Sequence, residues 1–271
     1  MEKTPAPTPA ALDQEYQKEF TRLCEASTPE GLLNAASRLR SDADGLFMKD
    51  DLVSRYHTAF KYRLAAELTE RAAGLLKDEN LDLLNSAGDL YHFAGHAFRR
   101  IEEFRWAGDA YAKSGECFMR EMLKLNGRKM FIDSYEKSIR AYRRAKVVYT
   151  EVGDYSQAGR MFFLEQGLIQ KKLSRTNPIE AALFMAWGIM SGYGESIRRW
   201  FVGYILGVAL FGMIYLHGGT GVLQAFYVSF GRSLLMNTTS LGGPIMLLQF
   251  AYSYFNLGLG LTIIVRRMIG R

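Results

Sequence analysis

Three sets of side chains in this sequence have the type and spacing to do chemistry. The first is Thr238-Thr239-Ser240-Leu241-Gly242-Gly243. Threonine and serine offer hydroxyl oxygens, and glycine lets the backbone turn its carbonyl oxygens to one side. Such a run can replace the water around a cation. The second set is basic: Lys137, Arg140 and Arg144 fall on one helical face, Arg143 and Lys146 flank it, and Arg128 and Lys129 extend it, with Tyr135 and Tyr142 interleaved. Cations with aromatic rings hold single-stranded nucleic acid through phosphate contacts and base stacking. A lipid-facing or merely solvated surface has the same composition. The third set is His92 and His96, four residues apart. That spacing can hold a metal, but no third ligand and no HExxH glutamate accompany it. Helix packing or anion contact is the expectation, and no metal is assigned.

No phosphate-cradling glycine loop, nucleophile elbow or carboxylate pair occurs, so neither an enzyme nor a cofactor is expected. Charge is divided sharply along the chain. Residues 1–178 hold 28 Lys/Arg and 26 Asp/Glu, whereas residues 179–271 hold six Arg, no Lys and two Glu. The first part reads as a water-phase segment and the second as a lipid-phase one. Within the first part, residues 1–119 carry a net −5 and residues 120–178 a net +7, which hints at a basic surface for an anionic partner. The two cysteines, Cys24 and Cys117, offer no disulfide framework and suit a reducing compartment. The first eleven residues are rich in Pro, Thr and Ala, and read as a disordered tail rather than a signal peptide.

The elements that must position these residues are helices throughout. Residues 12–177 read as consecutive amphipathic helices forming a cytoplasmic helical-repeat domain, with breaks at residues 78–80, Asn126-Gly127, Gly153-Asp154 and Asn177-Pro178. Thr28-Pro29-Glu30 reads as an N-cap with Pro in the first turn, and residues 49–76 as one long helix. A repeat appears at an offset of 51: Tyr91, Ala94, Phe98, Phe104, Ala107, Gly108 and Tyr111 match Tyr142, Ala145, Tyr149, Tyr155, Ala158, Gly159 and Phe162. Residues 118–134 read as an extra helix or long turn inside that repeat. The spacing is similar to that of tetratricopeptide helix pairs, and residues 107–116 resemble the irregular tetratricopeptide-like hairpins of vesicle-fusion adaptors. Such solenoids bind peptides, other proteins or nucleic acids.

Residues 178–198 read as an interfacial helix and elbow, and residues 199–271 as a membrane domain. Residues 200–216 are 17 uncharged residues, residues 222–236 a half-length apolar segment, and residues 245–265 a second uncharged run of 21. Arg198-Arg199 before the first run and Arg266-Arg267 after the second put both termini in the cytoplasm. Gln249, Ser253, Asn256 and Gly260, spaced 4, 3 and 4 apart, make one polar face. That face is read as lining the pore, a water-filled path, with packing between helices as the alternative.

Residues 188–271 resemble the bacterial two-transmembrane pore-loop ion channels. The likeness rests on Gly192-Tyr193-Gly194-Glu195 before the first span, Tyr227-Val228-Ser229, the Thr/Gly run ending in Pro244, and Val265-Arg266-Arg267. It implies an all-α protein: a tetratricopeptide-like solenoid joined to a two-span pore-loop domain, assembled as a homotetramer in the bacterial inner membrane. It also implies residues 238–243 as the filter for a permeant ion, and lipids as partners. Lacking the TVGYG pattern, the filter is not expected to be strictly selective for potassium. The combination is also similar to the Hailong-type channel effectors of antiphage defence. That resemblance implies control by a single-stranded oligonucleotide from a partner nucleotidyltransferase. The rival expectation is a membrane-anchored tetratricopeptide-like scaffold that conducts nothing.

Overall fold

In the computed structural model of the chain, short polar side chains start the helices. Thr28 accepts from the Gly31 amide at 3.3 Å, with Pro29 opening the helix. Asp51 caps through Ser54 at 2.8 Å, Asn80 through Asp82 and Leu83, and Asp154 through Gln157 at 3.1 Å. Each cap satisfies amides that have no partner within their helix, and is worth about 1 kcal/mol. The structure describes residues 9–26, 28–49, 51–76, 80–124, 128–191, 197–217, 221–233, 248–249, 251–254, 257–258 and 260–261.

All regular structure among the described residues is α-helical. The order is α1 (Pro9–Ala26), α2 (Pro29–Phe47), α3 (Leu52–Leu75), α4 (Leu81–Arg100), α5 (Phe104–Lys124), α6 (Arg128–Glu151), α7 (Tyr155–Thr176), α8 (Pro178–Ser191), α9 (Ile197–His217) and α10 (Val222–Ser233). Two expectations are corrected. Pro9, Ala10 and Ala11 belong to α1 rather than to a disordered tail, because Leu12 and Tyr16 are buried and anchor that helix. Among the described residues of 118–134 there is no separate helix: α5 runs to Lys124 and α6 starts at Arg128, and the two are themselves long, at 21 and 24 residues. The chain divides into two compact units, Met1–Lys172 and Leu173–Arg271.

In the first unit, sequential helices pack antiparallel through a recurring lock. A glycine on one helix receives an aromatic ring from the next. A Cβ on Gly88 would lie 2.6 Å from the Phe118 ring, on Gly95 2.7 Å from Tyr111, on Gly108 2.8 Å from Tyr149, and on Gly115 2.9 Å from Tyr142. Ser114 Oγ donates to the Gly88 carbonyl at 2.8 Å, and Ser138 Oγ to the Gly115 carbonyl at 2.9 Å. Alternate helices run parallel. Lys137 meets Asn85, Arg144 meets His92, and Glu151 meets Arg99, each 52 residues apart, so α6 lies beside α4 in one register. On the other side Tyr16 stacks on Phe60 at 5.2 Å, and Arg120 pairs with Glu70 at 2.6 Å, joining α1, α3 and α5.

The repeat is visible in the turns. Glu103 N bonds Phe98 O and Ala107 N bonds Glu103 O after α4. After α6, Asp154 N bonds Tyr149 O and Ala158 N bonds Asp154 O. The left-handed position is Glu102 (φ 63°) in the first turn and Gly153 (φ 75°) in the second.

Candidate functional site

The first complete helix of the apolar unit is α8, 14 residues and about 21 Å long, too short for a ~30 Å hydrocarbon core. Ile179 and Leu183 are exposed on it. Among the described residues one helix, α9, is long and apolar enough over Trp200–His217 to cross a membrane. One side of it is exposed through Phe201, Val202, Ile205, Leu206, Leu210 and Met213. The opposite side carries Gly203, Tyr204, Gly207, Val208 and Tyr215, all buried.

That buried side receives two further segments. Helix α10 has only 12 residues, about 18 Å. Its Ala225 and Val228 pack with Tyr215, and its Ser229 Oγ donates to the Val208 carbonyl at 2.7 Å. Val208 lies near the middle of α9, so α10 runs from one end of α9 to about its midpoint. The described residues after 247 then descend along α9. Tyr252 OH donates to the Gly203 carbonyl at 2.8 Å, with its ring 5.7 Å from that of Phe211. Gly260 sits where a Cβ would be 2.4 Å from Trp200.

One amide ties all three segments. Gln249 is fully buried; its Nε2 donates to the Ser229 carbonyl at 2.8 Å and to Ser229 Oγ at 3.3 Å, and its Oε1 accepts from the Tyr215 hydroxyl. Ser253 Oγ donates to the Gln249 carbonyl at 2.8 Å. Within the chain, then, Gln249, Ser253 and Gly260 do what interhelical residues do. The sequence pattern favours pore lining for these residues, with interhelical packing as the alternative, because both require a polar face turned from lipid. Asn256 and the run Thr238, Thr239, Ser240, Leu241, Gly242 and Gly243 lie outside the described residues.

The basic residues of the first unit separate into two groups. Lys137, Arg140 and Arg144 are on the α4 side of α6. Lys137 Nζ donates to Asn85 and lies 3.7 Å from Asp89. Arg144 bonds the Nε2 atoms of both His92 and His96 and lies 6.0 Å above the Tyr111 ring. Arg140 donates to the Glu136 carbonyl at 3.3 Å. Arg143 and Lys146 instead reach α7, where Glu165 accepts from them at 2.7 and 2.9 Å. The Glu165 side chain is 3% exposed, so these cations are committed to a buried carboxylate. The side chains of Arg128 and Lys129 lie outside the described residues. The five described residues do not form one open patch. The +7 count already includes Glu165, but it does not show that Arg143 and Lys146 converge on that carboxylate or that Lys137 meets Asp89 of α4.

The histidine pair is a guanidinium acceptor. Burial, then the Arg144 charge, lowers His92 to about 4, so its ring is neutral near pH 7 and accepts from Arg144. No cluster of three metal-ligating residues occurs among the described residues. Cys117 is fully buried, and burial raises its thiol, which suits a packing role.

On the other side of the first unit lies a cavity of about 490 Å³, with Arg63, Trp106, Asp109, Glu116, Tyr149 and Arg160 among its walls. No sequence signal marked it, because its residues come from six helices. Comparison with protein families, curated proteins and solved structures finds no match.

Proposed function

We propose that the chain is one subunit of a tetrameric, cation-conducting channel of the bacterial inner membrane. In this reading residues 173–271 form a two-span pore-loop domain, and the helical stack is a tetratricopeptide-like solenoid that gates it. The observation that carries it is the short helix α10. One turn before its last described residue, Ser229 meets Val208 near the middle of the apolar helix α9, and further along the chain Gln249, Tyr252 and Gly260 pack on the same helices. A backbone that stops at membrane depth is tolerated only beside protein or water. The negative end of a half-helix favours a cation by about 0.3–2 kcal/mol. Residues 238–243 follow it and supply the filter oxygens. One subunit cannot enclose a path, and cyclic symmetry closes four. Asn256 belongs to the inner lining, Gln249 and Ser253 to its support.

The gating ligand in this reading is anionic, a single-stranded oligonucleotide from a partner nucleotidyltransferase in an antiphage system. Its contacts narrow to Arg140 and Arg144, both exposed on α6 beside His92, His96 and the exposed ring of Phe93. Arg143 and Lys146 can join only by giving up Glu165. Several phosphate contacts make affinity fall steeply with salt.

A non-conducting membrane scaffold is the second reading, favoured by the cavity. Its walls carry four carboxylates and three cations, a mixture that suits a polypeptide better than a polyanion.

Native mass spectrometry of the full chain in mild detergent tests the assembly. Four copies are expected, and a monomer or dimer contradicts the channel. Arg140→Glu with Arg144→Glu should abolish oligonucleotide binding and alter depolarisation in cells; normal binding and gating would remove the ligand from this surface.

A further inference from the structure

We infer that the cavity of the first unit binds a small zwitterion of the amino-acid type, whose carboxylate is held by Arg160, Gln157 and the hydroxyl of Tyr142. The inference concerns the helical stack alone and stands apart from the channel reading. It starts from a difference between two sides of the cavity. On the α3 side the charges are paired. Arg63 holds Glu67 at 3.0 Å and Asp13 at 3.2 Å, and the Tyr91 hydroxyl donates to Glu70 at 2.9 Å. On the α7 side they are not. Gln157 and Arg160 sit three residues apart, so they share a helical face, and both line the cavity. Among the described residues neither side chain has a hydrogen bond or an ion pair.

A buried hydroxyl makes the second observation. The ring of Tyr142 fills the notch at Gly115 of α5 and is fully buried. Its oxygen is shut off from water and has no hydrogen-bond partner among the described residues. A buried phenol normally finds one. Burial, and then the charge of Glu116, raises this phenol, so near pH 7 it is a donor; Arg160 also acts on it. Glu116 and Arg160 are both walls of the cavity. The stranded hydroxyl therefore lies behind the end where the unpaired guanidinium stands. The Arg160 side chain is exposed, free to turn with a bound group.

These groups define the ligand. A guanidinium, a primary amide and a phenol supply donors, which call for oxygens carrying negative charge. The other walls limit that charge. Four carboxylates and three cations leave one negative charge in excess, and Lys113 is already 3.4 Å from Glu116. A doubly charged phosphate is repelled there, whereas a molecule with no net charge is not. Asp109 asks for the opposite group: one of its oxygens takes the Tyr149 hydroxyl, and the other is left for a donor. A carboxylate and an ammonium on one small molecule meet both demands. The volume, about 490 Å³, is that of a small-molecule site.

Isothermal titration calorimetry of the purified full chain in mild detergent tests this. The probes are the standard amino acids, the carboxamide of the tightest binder and inorganic phosphate. At least one amino acid should bind, and its carboxamide should bind more weakly by about tenfold or more, the scale of a hydrogen bond to a charged group. Arg160→Gln should weaken the amino acid by about tenfold and leave the carboxamide unchanged, since the two changes remove one interaction. Tyr142→Phe should also weaken the amino acid, yet the melting temperature of the ligand-free chain should hold or rise, because a stranded hydroxyl is gone. That split separates a ligand contact from a packing role. Binding of no amino acid, phosphate bound as tightly as the best amino acid, or wild-type affinity in both variants overturns the inference. A lower melting temperature in ligand-free Tyr142→Phe overturns it too, since the hydroxyl would then be bonded within the fold.

Discussion

In the helical stack Gly95 receives the ring of Tyr111; in the apolar unit Gly207 receives Tyr252, and Gly260 receives Trp200. Both regions bring helices together by removing a side chain from one and placing an aromatic in the gap. They differ in what holds the packed pair. Around the stack's locks are charged contacts: Arg99 with Glu151, Arg120 with Glu70, and Arg143 and Lys146 with Glu165. Around the apolar unit's locks are neutral hydrogen bonds, from Tyr252 to Gly203 and through Gln249 to Tyr215 and Ser229. A charge is costly in hydrocarbon, whereas a satisfied amide is tolerated. The packing device is the same in both units, and the polar groups around it differ.

The contrast is tested most severely at its ionic end. Removing both cations with Arg143→Met and Lys146→Met strands a carboxylate that is 3% exposed. The expected cost is about 3–5 kcal/mol. Glu165→Gln should cost less, about 2 kcal/mol, because Arg143 and Lys146 can turn to water. Thermal melts of the full chain in detergent read both, and equal costs would mean that Glu165 is not effectively buried.

The locks come next. Gly95→Val forces Tyr111, a fully buried ring, to move, and should cost about 1–3 kcal/mol. Gly207→Val drives the Tyr252 hydroxyl off the Gly203 carbonyl and should cost a similar amount. Limited proteolysis assigns each loss to its own unit. Tolerance of Gly207→Val alone would break the parallel between the two regions.

A sharper comparison lies inside the stack. Gly108 and Gly159 are equivalent in the sequence repeat, but a Cβ on Gly108 would meet Tyr149 at 2.8 Å, whereas one on Gly159 meets nothing within 4 Å. Gly108→Ala should destabilise, and Gly159→Ala should stabilise by about 0.5–1 kcal/mol. Changes of the same sign would show that the lock at Gly108 is loose.

An effect of similar, small size is expected at the turns. Glu102 holds a left-handed φ of 63° where its repeat partner is Gly153. Glu102→Gly should raise the melting temperature slightly, by relief of about 1 kcal/mol. Gly153→Ala should lower it by about as much. No response at either position would mean that the turns are not under strain.

Much of this architecture was legible from particular residues. Asn80, Asp154 and Asn177 marked helix boundaries because their side chains cap amides within a few positions. The offset of 51 was legible because equivalent turns reuse the same bonds. What could not be read is decided across helices. The polar face of Gln249, Ser253 and Gly260 is visible as a face, but its neighbour is set by Tyr215 and Ser229, 34 and 20 residues away. The basic run around Arg140 looks open because Asp89, His92 and Glu165 are distant in sequence. Residues 118–134 read as an added element because helix length has no local mark.

Conduction itself is the direct test of the central claim. Purified chain reconstituted in a planar bilayer, wild type beside Gly242→Ala, should give discrete current steps in the wild type and reduced or absent steps in the variant, whose methyl group enters the proposed constriction. Wild-type chain that is inserted and folded yet passes no current, or a variant that conducts as wild type does, would contradict the account.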